Sequence, residues 1–150
     1  MLEVIIVLLV FAVLAAIVVP QALTYIRQYR LGIAARNVAT ALQRARYLAT
    51  SNNKRTGIVI TEGNRILIEQ YDPAGEKEPE NKGTVHLADE TSIAADAPKR
   101  IAFDGRGIVT PLPKESPMIR VNGAKGYYMV VMVSPTGQVT LSETRRDEGA

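Results

Sequence analysis

The chain has 150 residues, a formal net charge of +3 and no cysteine. A chain of this length forms one compact domain with residues left for an appendage, and the lack of cysteine excludes disulfides and thiolate-bound metals. Charge is segregated, because residues 21–55 carry seven basic and no acidic side chains, whereas residues 56–100 carry nine acidic and five basic ones. This pattern predicts a basic rod followed by an acidic region.

The chain begins with an apolar run in which Glu3 is the only polar side chain before Pro20. The uncharged stretch that starts at Val4 ends only at Arg27, and about 20 apolar residues are enough to span the hydrocarbon of a bilayer. An ionised carboxylate at the end of such a run is costly to desolvate. Glu3 therefore requires a partner that the apolar run does not contain.

Residues 1–52 are predicted to form one helix, about 75 Å long at 1.5 Å per residue. Pro20 removes a hydrogen-bond donor and crowds the preceding turn, so we expect a kink there. Beyond Pro20, apolar residues recur at three- and four-residue spacing, which predicts one buried stripe on the helix. The stripe consists of Ile26, Tyr29, Ile33, Ala34, Val38, Ala41, Leu42, Ala45, Leu48 and Ala49.

From residue 56 onward the apolar period changes to two, which predicts antiparallel strands. The predicted strands cover residues 56–61, 64–71, 84–87, 99–103, 107–110, 117–122, 126–134 and 137–142. Residues 62–64, 104–107 and 134–137 have the composition of hairpin connections, and the charged, aperiodic residues 72–83 predict a loop. The nearly continuous apolar run Tyr127–Val133 predicts a central strand that is buried on both faces.

These elements predict an α+β fold. A long N-terminal helix, kinked near Pro20, packs its C-terminal half on an antiparallel β-sheet domain. We assign residues 1–23 to a transmembrane helix, residues 24–53 to the amphipathic half of the same helix, and residues 54–150 to the globular domain.

The run from Leu2 to Pro20 resembles the N-terminal helix of type IV pilins and type II secretion pseudopilins. Glu and Pro stand 17 positions apart in that family, as Glu3 and Pro20 do here. The helical stretch 35–46 and the sheet segments 101–107 and 131–139 are similar to the GspH/FimT group of minor pilins. The resemblance implies that two residues, normally a Phe and a polar residue, precede Met1 in the mature protein.

The resemblance implies the pilin fold and a structural subunit of a type IV pilus-like filament, either a pilin or a minor pseudopilin. In the family, the helix waits in the bacterial inner membrane, where a prepilin peptidase removes a basic leader and methylates the new N-terminus. An assembly platform then adds the subunit, as a homo-oligomer or beside other pilins, to a periplasmic or extracellular filament. The filament-core residues implied here are Val4, Ile5, Leu8, Phe11, Leu14 and Ile17, with Glu3 and Pro20 as assembly residues.

Glu3 has two interpretations. In the water-poor core of a helix bundle, an α-amine of an adjacent subunit would stabilise the carboxylate, and an unpaired copy would cost several kcal/mol. Glu3 would then set the register of assembly. Alternatively, Glu3 is a carboxylate at the start of a helix, placed at the membrane interface and favoured by the helix dipole.

The basic helix supports two alternative functions. It could contact DNA, as in a minor pilin for DNA uptake, although nucleic-acid binding needs a surface cluster. The competing interpretation is that its arginines face solvent or the acidic region 62–96 of a neighbouring subunit. The candidate DNA contacts are Arg27, Arg30, Arg44 and Arg46. A membrane-tethered monomeric domain is the other alternative.

No catalytic, cofactor-binding or metal site is predicted, and the chain is not expected to be an enzyme. His86 has no second His and no Cys with which to share a metal, and no nucleophile–His–acid set or Gly-rich phosphate loop has a recognisable spacing. Near the C-terminus, Arg145 and Arg146 are followed by two acidic residues that should neutralise them. Tyr127 and Tyr128 alternate along a strand, which predicts one in the core and one on the surface.

Overall fold

The structure is a computed structural model that describes residues 2–61, 64–71, 78–112 and 115–147. Its longest element is helix α1, Leu2–Asn52, which confirms the predicted single helix. The backbone is helical through Pro20 without interruption. The kink expected at Pro20 stays a prediction. Directly after α1, Asn53 adopts a φ of 50°, a left-handed conformation that commonly ends helices.

Two antiparallel sheets follow α1. Their strands are β1 Thr56–Thr61, β2 Arg65–Gln70, β3 Glu80–His86, β4 Ser92–Ile93, β5 Arg100–Phe103, β6 Val109–Thr110, β7 Met118–Asn122, β8 Tyr127–Val133, β9 Val139–Leu141 and β10 Arg145–Arg146. The first sheet has the order β3-β2-β1-β5-β6. The second has the order β10-β8-β7-β4, and β9 also pairs with β8. A short 3₁₀ turn, Ala124–Gly126, precedes β8.

The α+β class and the antiparallel pairing are confirmed, and each predicted strand has a counterpart whose ends differ by a few residues. The loop predicted for residues 72–83 is wrong at its end, because β3 begins at Glu80. This edge strand pairs with β2 through the backbone, with a register shift at Ile68/Glu69. Because its side chains are exposed or half-buried, its sequence lacks the apolar alternation that would predict a strand. The two-residue strands β4 and β10 were likewise not predicted.

The core lies between the C-terminal half of α1 and both sheets. The helix buries Leu31, Ala34, Ala35, Val38, Ala39, Ala41, Leu42, Ala45 and Ala49. The sheets contribute Ile58, Ile66, Ile68, Ile101, Phe103, Ile119, Val121, Val131 and Val133. The predicted stripe is wrong at its beginning, since Ile26 is 46% and Tyr29 61% exposed. Burial begins at Leu31 because the domain does not cover the earlier turns.

Strand β8 is central in its sheet, as predicted, because it pairs with β7, β9 and β10. It is not buried on both faces: Val131 and Val133 are buried, whereas Met132 is 37% exposed. Tyr127 and Tyr128 are both half-buried. The prediction of one core and one surface tyrosine is confirmed in part, because Tyr127 packs against the core whereas Tyr128 lies under the Arg120 guanidinium. An apolar run alone does not distinguish a strand with two covered faces from one with a single covered face.

Two turns and one arginine join the sheets near the end of α1. The turns at 104–107 and 134–137, both predicted, meet where the Val109 N–H donates to the Pro135 carbonyl at 3.0 Å. Arg46 Nε donates to the Gly107 carbonyl at 3.2 Å. Gly137 has a φ of 82°, and a β-carbon on it would overlap the Gly107 carbonyl oxygen. The hairpin connection predicted at 62–64 lies largely outside the described residues.

We expect Gly137→Ala to lower the free energy of unfolding by roughly 1–3 kcal/mol, because alanine is strained at positive φ and would push the two turns apart. Gly32→Ala is the matched control, since a β-carbon at Gly32 meets no atom within 4 Å and alanine favours a helix interior by up to about 1 kcal/mol. Denaturant unfolding of the full chain in detergent measures both variants. Equal stability of the two variants would contradict the proposed turn–turn contact.

Asp104 gives this junction a pH dependence. Its Oδ1 accepts the N–H groups of Ile108 at 2.9 Å and Arg106 at 3.0 Å, and the Ile108 bond contributes most to lowering the pKa of Asp104. Because the folded pKa lies below the unfolded value, the stabilisation is complete above about pH 4 and is lost as pH falls through the folded pKa.

The stability difference between the wild type and Asp104→Ala should therefore shrink between pH 6 and pH 3. A difference that stays constant over this range would show that the carboxylate charge contributes nothing.

Candidate assembly surface

The N-terminal half of α1 is the largest apolar surface of the described chain. From Glu3 to Leu23, every side chain that the structure describes is exposed. The predicted filament-core residues are 53–65% exposed: Val4, Ile5, Leu8, Phe11 and Leu14. Since the domain covers none of them, lipid or other chains must do so. Within the described residues, α1 is the one helix long and apolar enough to cross a membrane. The side chains of Ile17 and Pro20 lie outside the described part of the structure.

Glu3 is exposed in the first turn of α1, where the helix dipole favours a carboxylate. The nearest basic residue along the helix is Arg27, about 36 Å away at 1.5 Å per residue. A counter-ion for Glu3 therefore does not come from its own helix. Its role in assembly remains a prediction.

The four arginines considered for DNA binding do not act as one cluster. Arg44 donates to the Lys82 carbonyl at 3.4 Å, and Arg46 to the Gly107 carbonyl, so both are engaged by the domain backbone. Arg30 lies 3.7 Å from Glu90, which pairs the basic helix with the acidic region inside one chain. Arg27 is half-buried. Three of the four candidates thus have structural contacts with the domain.

The C-terminal strand β10 leaves a basic edge on the second sheet. Of the two acids predicted to neutralise Arg145 and Arg146, Asp147 instead forms its ion pair with Arg120, whose guanidinium lies 4.0 Å from the Tyr128 ring centroid. Glu148 lies outside the described residues, so its part of the prediction stays a prediction. Arg145 and Arg146 are both exposed. Adjacency in the sequence did not predict this ion pair. Consecutive side chains of a strand point to opposite faces, and each interacts with side chains of the neighbouring strands.

A groove of about 270 Å³ lies between α1 and the β10 side of the second sheet. Its wall contains Tyr25, Gln28, Tyr29, Gly32, Ile33, Arg36, Met129 and Thr144. Arg36 is exposed and forms no hydrogen bond or ion pair with the described residues. A second groove, lined by Gln21, Thr24, Tyr25 and Gln28, continues from it along α1.

Sequence reasoning missed this groove, because the groove combines three separate segments of the chain. One signal was available on α1. Tyr25, Tyr29, Gly32 and Arg36 are spaced by four, three and four residues, which places them on one helix face. Nothing in the sequence marked Met129 or Thr144 as the opposite wall.

Other polar clusters of the described chain have structural contacts. The pKa of Tyr71 is raised to about 12, mainly by burial and secondly by a 2.8 Å hydrogen bond that its hydroxyl donates to Glu69. Arg55 and Arg100 lie over its ring, at 5.6 and 5.1 Å from the centroid. A phenol held protonated in this way is a hydrogen-bond donor at neutral pH and not a nucleophile. His86 is an exposed residue of β3, as predicted. No group of three His, Cys, Asp or Glu side chains among the described residues could hold a metal ion.

No protein-family model matches the chain, and no curated protein sequence matches it. Solved structures do match. The type IV minor pilin FimU of Pseudomonas aeruginosa superposes with a TM-score of 0.63 at 18% identity, over 79% of this chain and 92% of that chain. The minor pseudopilin EpsH from the type II secretion system of Vibrio cholerae superposes with a TM-score of 0.59 at 14% identity, over 75% and 96% of the two chains.

At these identities the likeness concerns the fold. In this chain, that fold consists of a long N-terminal helix whose C-terminal half packs on antiparallel sheets. The chain therefore has the fold of the minor pilins and minor pseudopilins.

Proposed function

We propose that the chain is a structural subunit of a type IV pilus-like helical filament, a pilin or minor pseudopilin. The observation that carries the proposal is the exposed apolar half of α1, with Glu3 at its end, joined to a domain with the minor pilin fold. FimU and EpsH are a minor pilin and a minor pseudopilin, which favours a minor subunit here. No catalytic step is part of this function.

Before assembly, residues 1–23 would hold the chain in the bacterial inner membrane with the globular domain outside. The seven basic residues that follow the span run against the tendency of positive charge to stay inside. A basic leader in front of the chain, of the kind that a prepilin peptidase removes, would reverse this balance. The assembled filament would be periplasmic or extracellular.

Transfer from the membrane to a filament core changes little for the apolar side chains. Lipid tails are as apolar as the neighbouring helices, so hydrophobic burial does not favour one over the other, and helix association depends on packing and on polar contacts. Pro20 would loosen the local packing of the helix by removing one backbone hydrogen bond.

Glu3 is the group whose environment changes most. In the filament it would pair with the α-amine of an adjacent subunit, and the water-poor surroundings would strengthen that pair. A subunit docked out of register would leave the carboxylate unpaired, at a cost of several kcal/mol. The ion pair would therefore select the correct register and would bias the subunit toward the filament and away from the bilayer.

We expect Glu3→Ala to enter the membrane normally and to reduce the yield of filaments by at least about tenfold, equivalent to a loss of about 1.4 kcal/mol per docking event. Val10→Ala is the matched control, because it shortens an exposed apolar side chain of the same helix and leaves the charge in place. Membrane fractionation measures insertion, and electron microscopy of the expressing cells measures filaments. A normal number of filaments from Glu3→Ala would contradict the role of Glu3.

Electron microscopy of the same cells also distinguishes a filament subunit from a membrane-tethered monomer. A membrane-tethered domain predicts that the wild-type chain, extracted in detergent, associates with no other copy and no other pilin. Filaments that contain the chain would exclude that alternative.

A further inference from the structure

The second sheet carries opposite charges at its two edges. We call one side the basic flank, which comprises Arg36 on α1 and Arg145 and Arg146 on β10. All three side chains are exposed, and among the described residues Glu143 is the one exposed acid beside them in the sequence. We call the other side the acidic flank, which comprises Asp89, Glu90 and Asp96 in the segment around β4. β10 and β4 are the outermost strands of the sheet, about 14 Å apart at the usual strand spacing.

The two flanks face different sides of α1. Glu90 contacts the helix at Arg30, whereas Arg36 lines the groove. Six residues at 3.6 per turn separate these two positions by about 120° around the helix axis. The acidic flank of one chain therefore does not reach the groove of the same chain.

Both flanks keep unsatisfied charge. Arg30 engages Glu90, but Asp89 and Asp96 form no ion pair or hydrogen bond with the described side chains. Arg36 is equally without a partner among them. A guanidinium and a carboxylate that meet across a contact form charge-assisted hydrogen bonds, which are about twice as strong as neutral ones.

We propose that the groove and the basic flank of one chain receive the acidic flank of a second copy, with Arg36 paired to Asp89 of that copy. This inference rests on the proposed function. The contact joins two different surfaces, so each bound copy still presents one free groove and one free acidic flank. Such head-to-tail contacts generate open helical assemblies unless the rotation closes a ring.

The shapes of the two surfaces also fit. A β-carbon at Gly32 would meet no atom within 4 Å, so the helix leaves room in the groove for an incoming loop. The acidic turn is held in place, because Asn64 Nδ2 donates to the Thr91 carbonyl at 2.6 Å and Thr91 Oγ1 donates to the Ala88 carbonyl at 2.5 Å. A turn ordered in advance loses little conformational entropy on docking.

The groove is continuous with the proposed helix interface. Its extension along Gln21, Thr24 and Gln28 runs toward the exposed apolar half of α1. A second copy docked on the groove would therefore place its own helix beside this one. The domain contact and the helix contact would then favour the same arrangement.

Cysteine cross-linking tests the contact directly, since the chain has no cysteine of its own. Full-length Arg36→Cys/Asp89→Cys, oxidised in the membranes of expressing cells, should give a ladder of trimers and larger products. Arg36→Cys/Glu78→Cys is the matched control, because Glu78 is an exposed acid outside the acidic flank, and it should stay mainly monomeric. Products that stop at the dimer, or equal ladders from both pairs, would overturn the proposal.

Charge reversal gives a second, independent readout. Arg36→Glu and Asp89→Arg should each weaken association about tenfold, since like charges then oppose one another across the contact, and the double variant should recover most of the loss. Failure of the double variant to recover would overturn the pairing. Vesicles of phosphatidylglycerol test a lipid occupant: if Arg36→Glu loses vesicle binding while self-association and filament yield stay normal, the groove faces the membrane and the proposal is wrong.

Different results would contradict the proposed function and the groove contact. If no filament of the expressing cells contains the wild-type chain, the proposed function is wrong. If filaments form and remain normal in number with Arg36→Glu, only the groove contact is wrong.

Discussion

Assembly, in this account, depends on a single carboxylate that has no counter-ion among the described residues of its own chain. Glu3 lies at the end of an apolar helix, and the nearest basic residue along that helix is Arg27. The rest of the apolar half of the helix tolerates lipid and protein neighbours equally well, because both are apolar. In the proposed filament, the charge at Glu3 would distinguish a correctly docked neighbour from a bilayer. Assembly, in this account, is the formation of an ion pair between chains.

The globular domain holds that helix in a defined position. Small side chains such as Ala34, Ala41 and Ala45 let both sheets approach the helix closely, and all three are fully or almost fully buried. Arg46 then ties the helix to the turn that joins the sheets. Burial along α1 begins only at Leu31. The domain therefore packs on the second half of the helix and leaves the first half exposed, where other chains can contact it. The same division places the groove at the point where the two halves meet.

The sequence was sufficient where one physical constraint decides the outcome. The apolar run and the period of 3.6 predicted helix α1, and the period of two predicted the long strands. It was insufficient where several segments combine. Strand β3 at Glu80 depends on backbone pairing at an edge, the partner of Asp147 is Arg120 on another strand, and the groove joins Arg36 to Met129 and Thr144. No local pattern encodes such contacts, because each depends on tertiary packing.

The most direct measurement of the central claim is a distance in the assembled filament. Solid-state NMR on filaments labelled with ¹³C at the Glu3 carboxylate and ¹⁵N at the N-terminal amine measures the separation between the two groups. The account predicts an ionised carboxylate within about 4 Å of an amine nitrogen from an adjacent subunit, the range of an ion pair. A carboxylate that is protonated, or that is hydrated and remote from every amine, would contradict it.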